Sequence, residues 1–198
     1  MKKTAILLFL SVFLIFTANA QKAHFGVKGG LNVSSLHFED NTSYDSKIGL
    51  HAGLLAHIHA SKVWAIQPEV FYSSEGAKAR VGSSDVKINL NYINVPVLLQ
   101  YMFDNGVRLE GGPQIGFLVN AKTKTSNATV DNNNFKSTAF SIPLGVGYLT
   151  TDGLGFDARY VFGLSNINEN KNPTIQSNVF QFGIFYQFSD TKTHHHHK

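Results

Sequence analysis

Eight successive stretches of this chain alternate apolar residues with polar residues or glycine, and that period of two constrains the fold more than any other feature. In the last stretch Phe180, Phe182, Ile184, Tyr186 and Phe188 share one face, while Val179, Gln181, Gly183, Phe185 and Gln187 share the other. Only a β-strand points successive side chains to opposite sides. The stretches fall near 24–33, 47–58, 63–73, 87–101, 107–121, 136–149, 153–164 and 177–188. Their linkers alternate in length. Tight turns at 59–62, 104–106 and 151–152 alternate with polar links of about a dozen residues near 34–46, 74–86, 122–135 and 165–176, as outer-membrane barrels alternate periplasmic turns with longer external loops.

The ends of the chain set its compartment. Lys2 and Lys3, the apolar run Ala5 to Phe16 and the small residues Ala18-Asn19-Ala20 compose an export signal, with cleavage expected after Ala20. No later run is apolar enough for a helical span, so any crossing of a bilayer is made by strands. Residues 21–188 form one expected domain, and 189–198 a tail that carries His194 to His197. Four adjacent imidazoles can bind zinc or nickel, but no ordered framework or carboxylate accompanies them, and the tail is read without a metal. Cysteine is absent, which excludes disulfides and thiolate metal sites. The net charge of +4 falls to +2 without the two signal lysines, which gives no reason to expect nucleic-acid binding. Charged residues make up 15% of the chain, against about 25% in an ordinary soluble domain.

Orientation decides the environment. One face of the stretches stays free of charge across the central part of each and gathers aromatics near its ends (Trp64, Tyr72, Tyr101, Tyr148, Tyr186 and Phe188), as a lipid-facing surface with interfacial girdles does. The opposite face carries Lys28, Glu69, Arg108, Glu110, Asp157 and Arg159, three cations and three carboxylates suited to pairing in a narrow lumen. The expected fold is therefore all-β: an eight-stranded antiparallel up-and-down transmembrane barrel with short periplasmic turns, four longer extracellular loops and an interior filled by side chains. Two irregularities are expected. Pro68, Pro96, Pro113 and Pro143 fall inside strands, and the apolar phase slips from Ile88, Leu90 and Tyr92 to Ile93, Val95, Val97 and Leu99; both predict β-bulges at these places.

The segments QPEVFYSSEGAK (67–78), YINVPVLLQY (92–101), GGPQIGFLVNAK (111–122), GLGFDARYVFGLSNI (153–167) and VFQFGIFYQF (179–188) resemble the PorT-type outer-membrane β-barrel family of Bacteroidetes. The resemblance spans nearly the whole mature chain. It implies an eight-stranded outer-membrane barrel, supplies no catalytic residues to carry over, and links some members to protein secretion; no cofactor is expected. The last strand, with Phe182, Ile184, Tyr186 and Phe188 at alternate positions, also resembles the signal read by barrel-assembly machinery, although Ser189 to Lys198 follow it.

No catalytic constellation emerges. Ser34, Ser35, His37 and Asp40 crowd one polar link without the spacing logic of a triad, and His51 and His57 read as hydrogen-bonded lumen fillers. The external links mix Glu39 and Asp40 with Lys122 and Lys124, so they name no single charged ligand. Two function classes follow. One is a structural, surface-interacting or secretion-accessory barrel, whose partners are outer-membrane lipids, lipopolysaccharide, assembly machinery and secretion proteins. The other is a soluble exported barrel around a small apolar ligand.

Overall fold

The computed structural model describes residues 23–38, 45–81, 84–125, 128–131, 134–170 and 173–188; the expected signal segment and histidine tail lie outside them. Ten strands form: β1 (Ala23–Phe38), β2 (Asp45–His59), β3 (Trp64–Val81), β4 (Ser84–Met102), β5 (Val107–Gly111), β6 (Gln114–Lys124), β7 (Thr129–Asp131), β8 (Thr138–Leu149), β9 (Leu154–Gly163) and β10 (Ile175–Gln187). All pairings are antiparallel. β5 and β6 are one wall strand interrupted at Gly112-Pro113, and β7 is a short flap on β6, so the wall has the eight strands expected. β1 pairs with both β2 and β10, which closes the ring. Closure is what a strand-built span needs, because lipid offers a free backbone edge no hydrogen-bond partner. Among the described residues no helix is long and apolar enough to cross a membrane.

The ring is staggered. Stepping across partners from Ala23 leads through Ile58, Ile66, Leu99, Gly111, Leu144, Tyr160 and Phe180 to Val33, ten residues further along the first strand. Such shear tilts the strands and fixes the bore, and at eight strands the bore is just wide enough for side chains to fill. The short turns gather at one end with Ala23 and Phe188. Gly106 and Gly153 adopt φ of 89° and 88° in two of them, a region glycine enters without steric cost.

The apolar face points outward, as expected. Phe180 and Phe182 are 50% and 53% exposed, while Glu69 and Arg159 are each 3% exposed. Trp64, Tyr101 and Phe103 stack edge to face at the turn end, with centroids 5.0 and 4.9 Å apart. They form part of the inner girdle.

Three expectations need correction. The link at 74–86 is not a loop: β3 and β4 continue as a paired hairpin as far as Val81 and Ser84. The prolines do not sit at bulges; register is unchanged through Pro68, Pro96, Pro113 and Pro143. The register shifts lie elsewhere, at Val119, which stands between the partners of Asn91 and Tyr92, and between Ser46 and His51 of β2. Nor does the backbone slip in β4. Leu90, Tyr92, Asn94, Pro96, Leu98 and Gln100 all face inward in one unbroken alternation. What changes is the environment. Beyond the lipid, water bathes the outer wall, and the interior becomes the better place for apolar groups. Leu90 and Tyr92 accordingly pack with Leu36, Ala77, Ile167 and Ile175 in a small core at the loop end.

Candidate functional site

The lumen holds three layers, and each follows from which residues the alternation turns inward. In the middle layer Arg159 donates from Nη1 and Nη2 to the two oxygens of Glu69 at 2.8 Å each, and its Nε bonds Glu110. Lys28 meets Glu69 at 3.0 Å and Asp157 at 3.8 Å, while Asp157 lies 3.4 Å from Arg159. Gln67 donates to Glu69 at 2.8 Å, and Gln100 to Glu110 at 2.7 Å. Glycines on neighbouring strands make the room: a Cβ at Gly145 would come within 2.7 Å of the Arg159 Cγ, and one at Gly183 within 2.7 Å of an Asp157 oxygen. Buried charge survives only when paired and hydrogen-bonded; Glu69, Glu110, Lys28 and Arg159 meet both conditions, while Asp157 is held by ion pairs alone.

Five of the six expected lumen charges thus meet in one network. Arg108 does not. It is 4% exposed, its Nε and Nη1 have no hydrogen-bond partner, and its guanidinium lies 5.8 Å from the Phe185 ring centroid, on the turn side of the network. His51 and His57 are buried fillers, contacting Asn32 Oδ1 at 2.8 Å and Gln67 Oε1 at 3.3 Å. Phe182, Ile184, Tyr186 and Phe188 of the final strand all face outward, and the Phe188 N–H closes the seam by donating to Phe25 at 2.7 Å.

A second polar layer was missed because its carboxylate, Glu75, falls beyond the expected end of its strand. Glu75 accepts from Ser73 at 2.8 Å, Asn94 at 3.1 Å and Ser177 at 3.3 Å, and Lys47 donates to the Glu75 carbonyl at 2.7 Å. Parity was the available signal: Glu69, Phe71, Ser73 and Glu75 continue one inward face. Above this layer sits the apolar core at the loop end, bridged by Ile167 N–H to Ile175 at 2.9 Å. A cavity of about 20 Å³ between them is lined by Glu75 and Tyr92, room for about one water. The serines and histidine of the first link are not assembled. Ser34 faces inward and donates to the carbonyls of Gly76 at 2.8 Å and Lys47 at 3.2 Å, while Ser35 and His37 lie on the other face, and Asp40 is outside the described residues.

The outer wall beyond the lipid belt carries its own pattern. Lys78 is the cross-strand partner of Lys87, and Lys87 is the partner of Lys124. Asp45 closes this exposed row on the β2 side, and Lys122, one row nearer the membrane, lies 4.0 Å from Asp131. Like charges set directly opposite one another repel, so the row stands at an energetic cost within the protein itself.

The barrel matches known proteins in architecture. The family described as "Outer membrane protein beta-barrel domain" matches residues 19–169. Neisserial surface protein A is similar at 15% identity and a TM-score of 0.60, over 85% of this chain and 100% of that one. Ail, the attachment invasion locus protein of Yersinia pestis, is similar at 14% identity and a TM-score of 0.56, over the same shares. These likenesses establish the fold. No curated protein matches the chain by sequence.

Proposed function

This chain belongs to the outer membrane protein β-barrel domain family, and on that footing we propose that it is a closed barrel acting at the cell surface, through contacts between its external end and anionic glycolipid. Its place is the outer membrane. The observation that carries the proposal is the row Lys78, Lys87 and Lys124, which stands on the outer wall above the apolar belt ending at Tyr72, Ile93 and Phe117. Between belt and row lie Ser74, Asn91, Asn120, Gly76, Asn89 and Lys122, with exposed Val119 at the bulge. That height suits the phosphates of lipopolysaccharide, and a polyanion offsets the repulsion along the row. The packed lumen supports the closed part of the reading, since the ion network and the loop-end core leave no path for a solute.

The test uses the purified barrel in planar bilayers and in lipopolysaccharide vesicles. No stepwise conductance is expected; regular conductance steps refute the closed lumen. Replacing all three lysines by glutamine should abolish salt-sensitive vesicle binding, and unchanged binding refutes the glycolipid contact. A secretion-accessory role is the second reading, supported by the PorT-type resemblance of segments 67–78, 92–101 and 179–188. It requires a secretion protein to co-purify from mildly solubilised membranes.

A further inference from the structure

Pairing the charges of the lumen by contact leaves one cation without a partner. Lys28 and Arg159 between them contact all three carboxylates of the middle layer, Glu69, Glu110 and Asp157. Arg108 is as buried as they are, yet no salt bridge reaches it among the described residues, and two of its three guanidinium nitrogens lack a hydrogen-bond partner. A buried guanidinium without a contacting acceptor is costly unless something supplies one.

What Arg108 faces is a vestibule at the turn end of the barrel. The space measures about 370 Å³. Its wall adds His24, His57, His59 and Lys62 to Arg108, with Asp104 as the sole acidic group of the lining. The three imidazoles are neighbours: ring centroids of His24 and His59 are 5.7 Å apart, and those of His57 and His59 are 4.6 Å apart. Among the described residues no group of three or more such side chains is arranged to hold a metal ion. A neutral imidazole carries one N–H that it can donate to an anion. A guanidinium at the floor, an ammonium at the rim and ring N–H groups between them are the donor set of an oxyanion site, where the planar fork of arginine engages two oxygens at once.

We propose that the periplasmic vestibule binds a phosphate-type oxyanion, with Arg108 as its buried anchor and Lys62 and the histidines as its rim. The volume exceeds by far the roughly 30 Å³ share of a water molecule and admits a phosphate ester. Two sources present this chemistry on the periplasmic side: the headgroup of an anionic phospholipid of the inner leaflet, and a free phosphate or phosphate ester. The site is independent of the lysine row, which lies at the opposite end of the barrel.

The test places the full-length barrel in phosphatidylcholine nanodiscs and follows phosphorus NMR linewidths. In one arm inorganic phosphate is titrated in; in the other, phosphatidylglycerol replaces part of the phosphatidylcholine. Selective broadening of inorganic phosphate identifies the free source, and selective broadening of phosphatidylglycerol identifies the lipid. Either signal should weaken about tenfold or more in Arg108→Gln, the loss expected for a charge-assisted bidentate contact, and persist in Thr129→Ala, at an exposed position at the loop end. If Arg108→Gln fails to insert, the rim variant Lys62→Ser with His24→Gln reads the same loss. Absence of broadening in both arms overturns the proposal, as does equal broadening in wild type and in the variants that fold.

Discussion

Arg159 and Glu69, ninety positions apart in the chain, are joined by two parallel hydrogen bonds of 2.8 Å across the barrel interior. Glu69 is also the acceptor for Lys28, so removing it leaves two buried cations short of an anion. Glu69→Ala should cost about 3–5 kcal/mol, the range for breaking a buried pair from one side. Equilibrium urea unfolding in lipid vesicles measures it, and a loss below 1 kcal/mol would show that water, not the network, solvates these charges.

The outer end of the lumen should behave as the core of a soluble protein. Leu90 is fully buried there, whereas Leu99 on the same strand is 50% exposed toward lipid. Leu90→Ala should cost about 2–5 kcal/mol because the cavity has nothing to fill it. Leu99→Ala should cost less, since acyl chains close over the lost volume. The same unfolding assay compares the two; an equal cost would contradict the change of environment along β4.

The lipid belt makes its own demand. Leu144, partnered by Gly111 and Tyr160, faces outward in the midst of the apolar band. Leu144→Arg should cost about 2–4 kcal/mol, and Asn91→Arg, above the belt, about 0–1 kcal/mol, because the penalty for charge falls with distance from the bilayer midplane. Paired unfolding measurements in one lipid check the gradient.

The lysine row leads to opposed effects. Lys87→Glu places a carboxylate between Lys78 and Lys124, and in lipopolysaccharide-free detergent it should raise stability by about 0.2–1 kcal/mol per new pair. The same substitution should weaken binding to lipopolysaccharide vesicles. A variant that gains stability and keeps full vesicle binding would detach the row from its proposed partner.

The terminal strand gives a prediction about biogenesis. We propose that Tyr186 and Phe188, both outward, are read during assembly as well as seated in the girdle. Phe188→Ala should lower the fraction of protein recovered in the outer membrane while leaving the unfolding midpoint of the inserted fraction within about 1 kcal/mol of wild type, the effect of trimming one half-exposed ring. Unchanged recovery would confine Phe188 to a packing role.

Much of this architecture is legible one strand at a time. Phe180 to Phe188 declare their faces because a strand has a period of two, and the scarcity of charge beside them declares lipid, because hydrocarbon tolerates none. Turn lengths then order the eight strands, and Glu69, Arg108 and Arg159 are assigned to the interior before any contact is known. The outer boundary of the belt is less legible. Ile88, Leu90 and Tyr92 look like a break in phase when lipid is assumed to flank the whole strand; they keep phase once the wall emerges into water. Glu75 escapes notice for the same reason, being a polar residue in what reads as loop.

The sequence by itself determined the strand period, the number of wall strands, the outward face and the set of charges inside, since each is a local property of residues two apart. Only the tertiary structure decided which of those charges meet. The ten-residue stagger around the ring sets the height of every strand against its neighbours, and no stretch of sequence encodes it alone. That stagger lifts Arg159 level with Glu69 and leaves Arg108 below them, a buried cation facing the periplasmic vestibule.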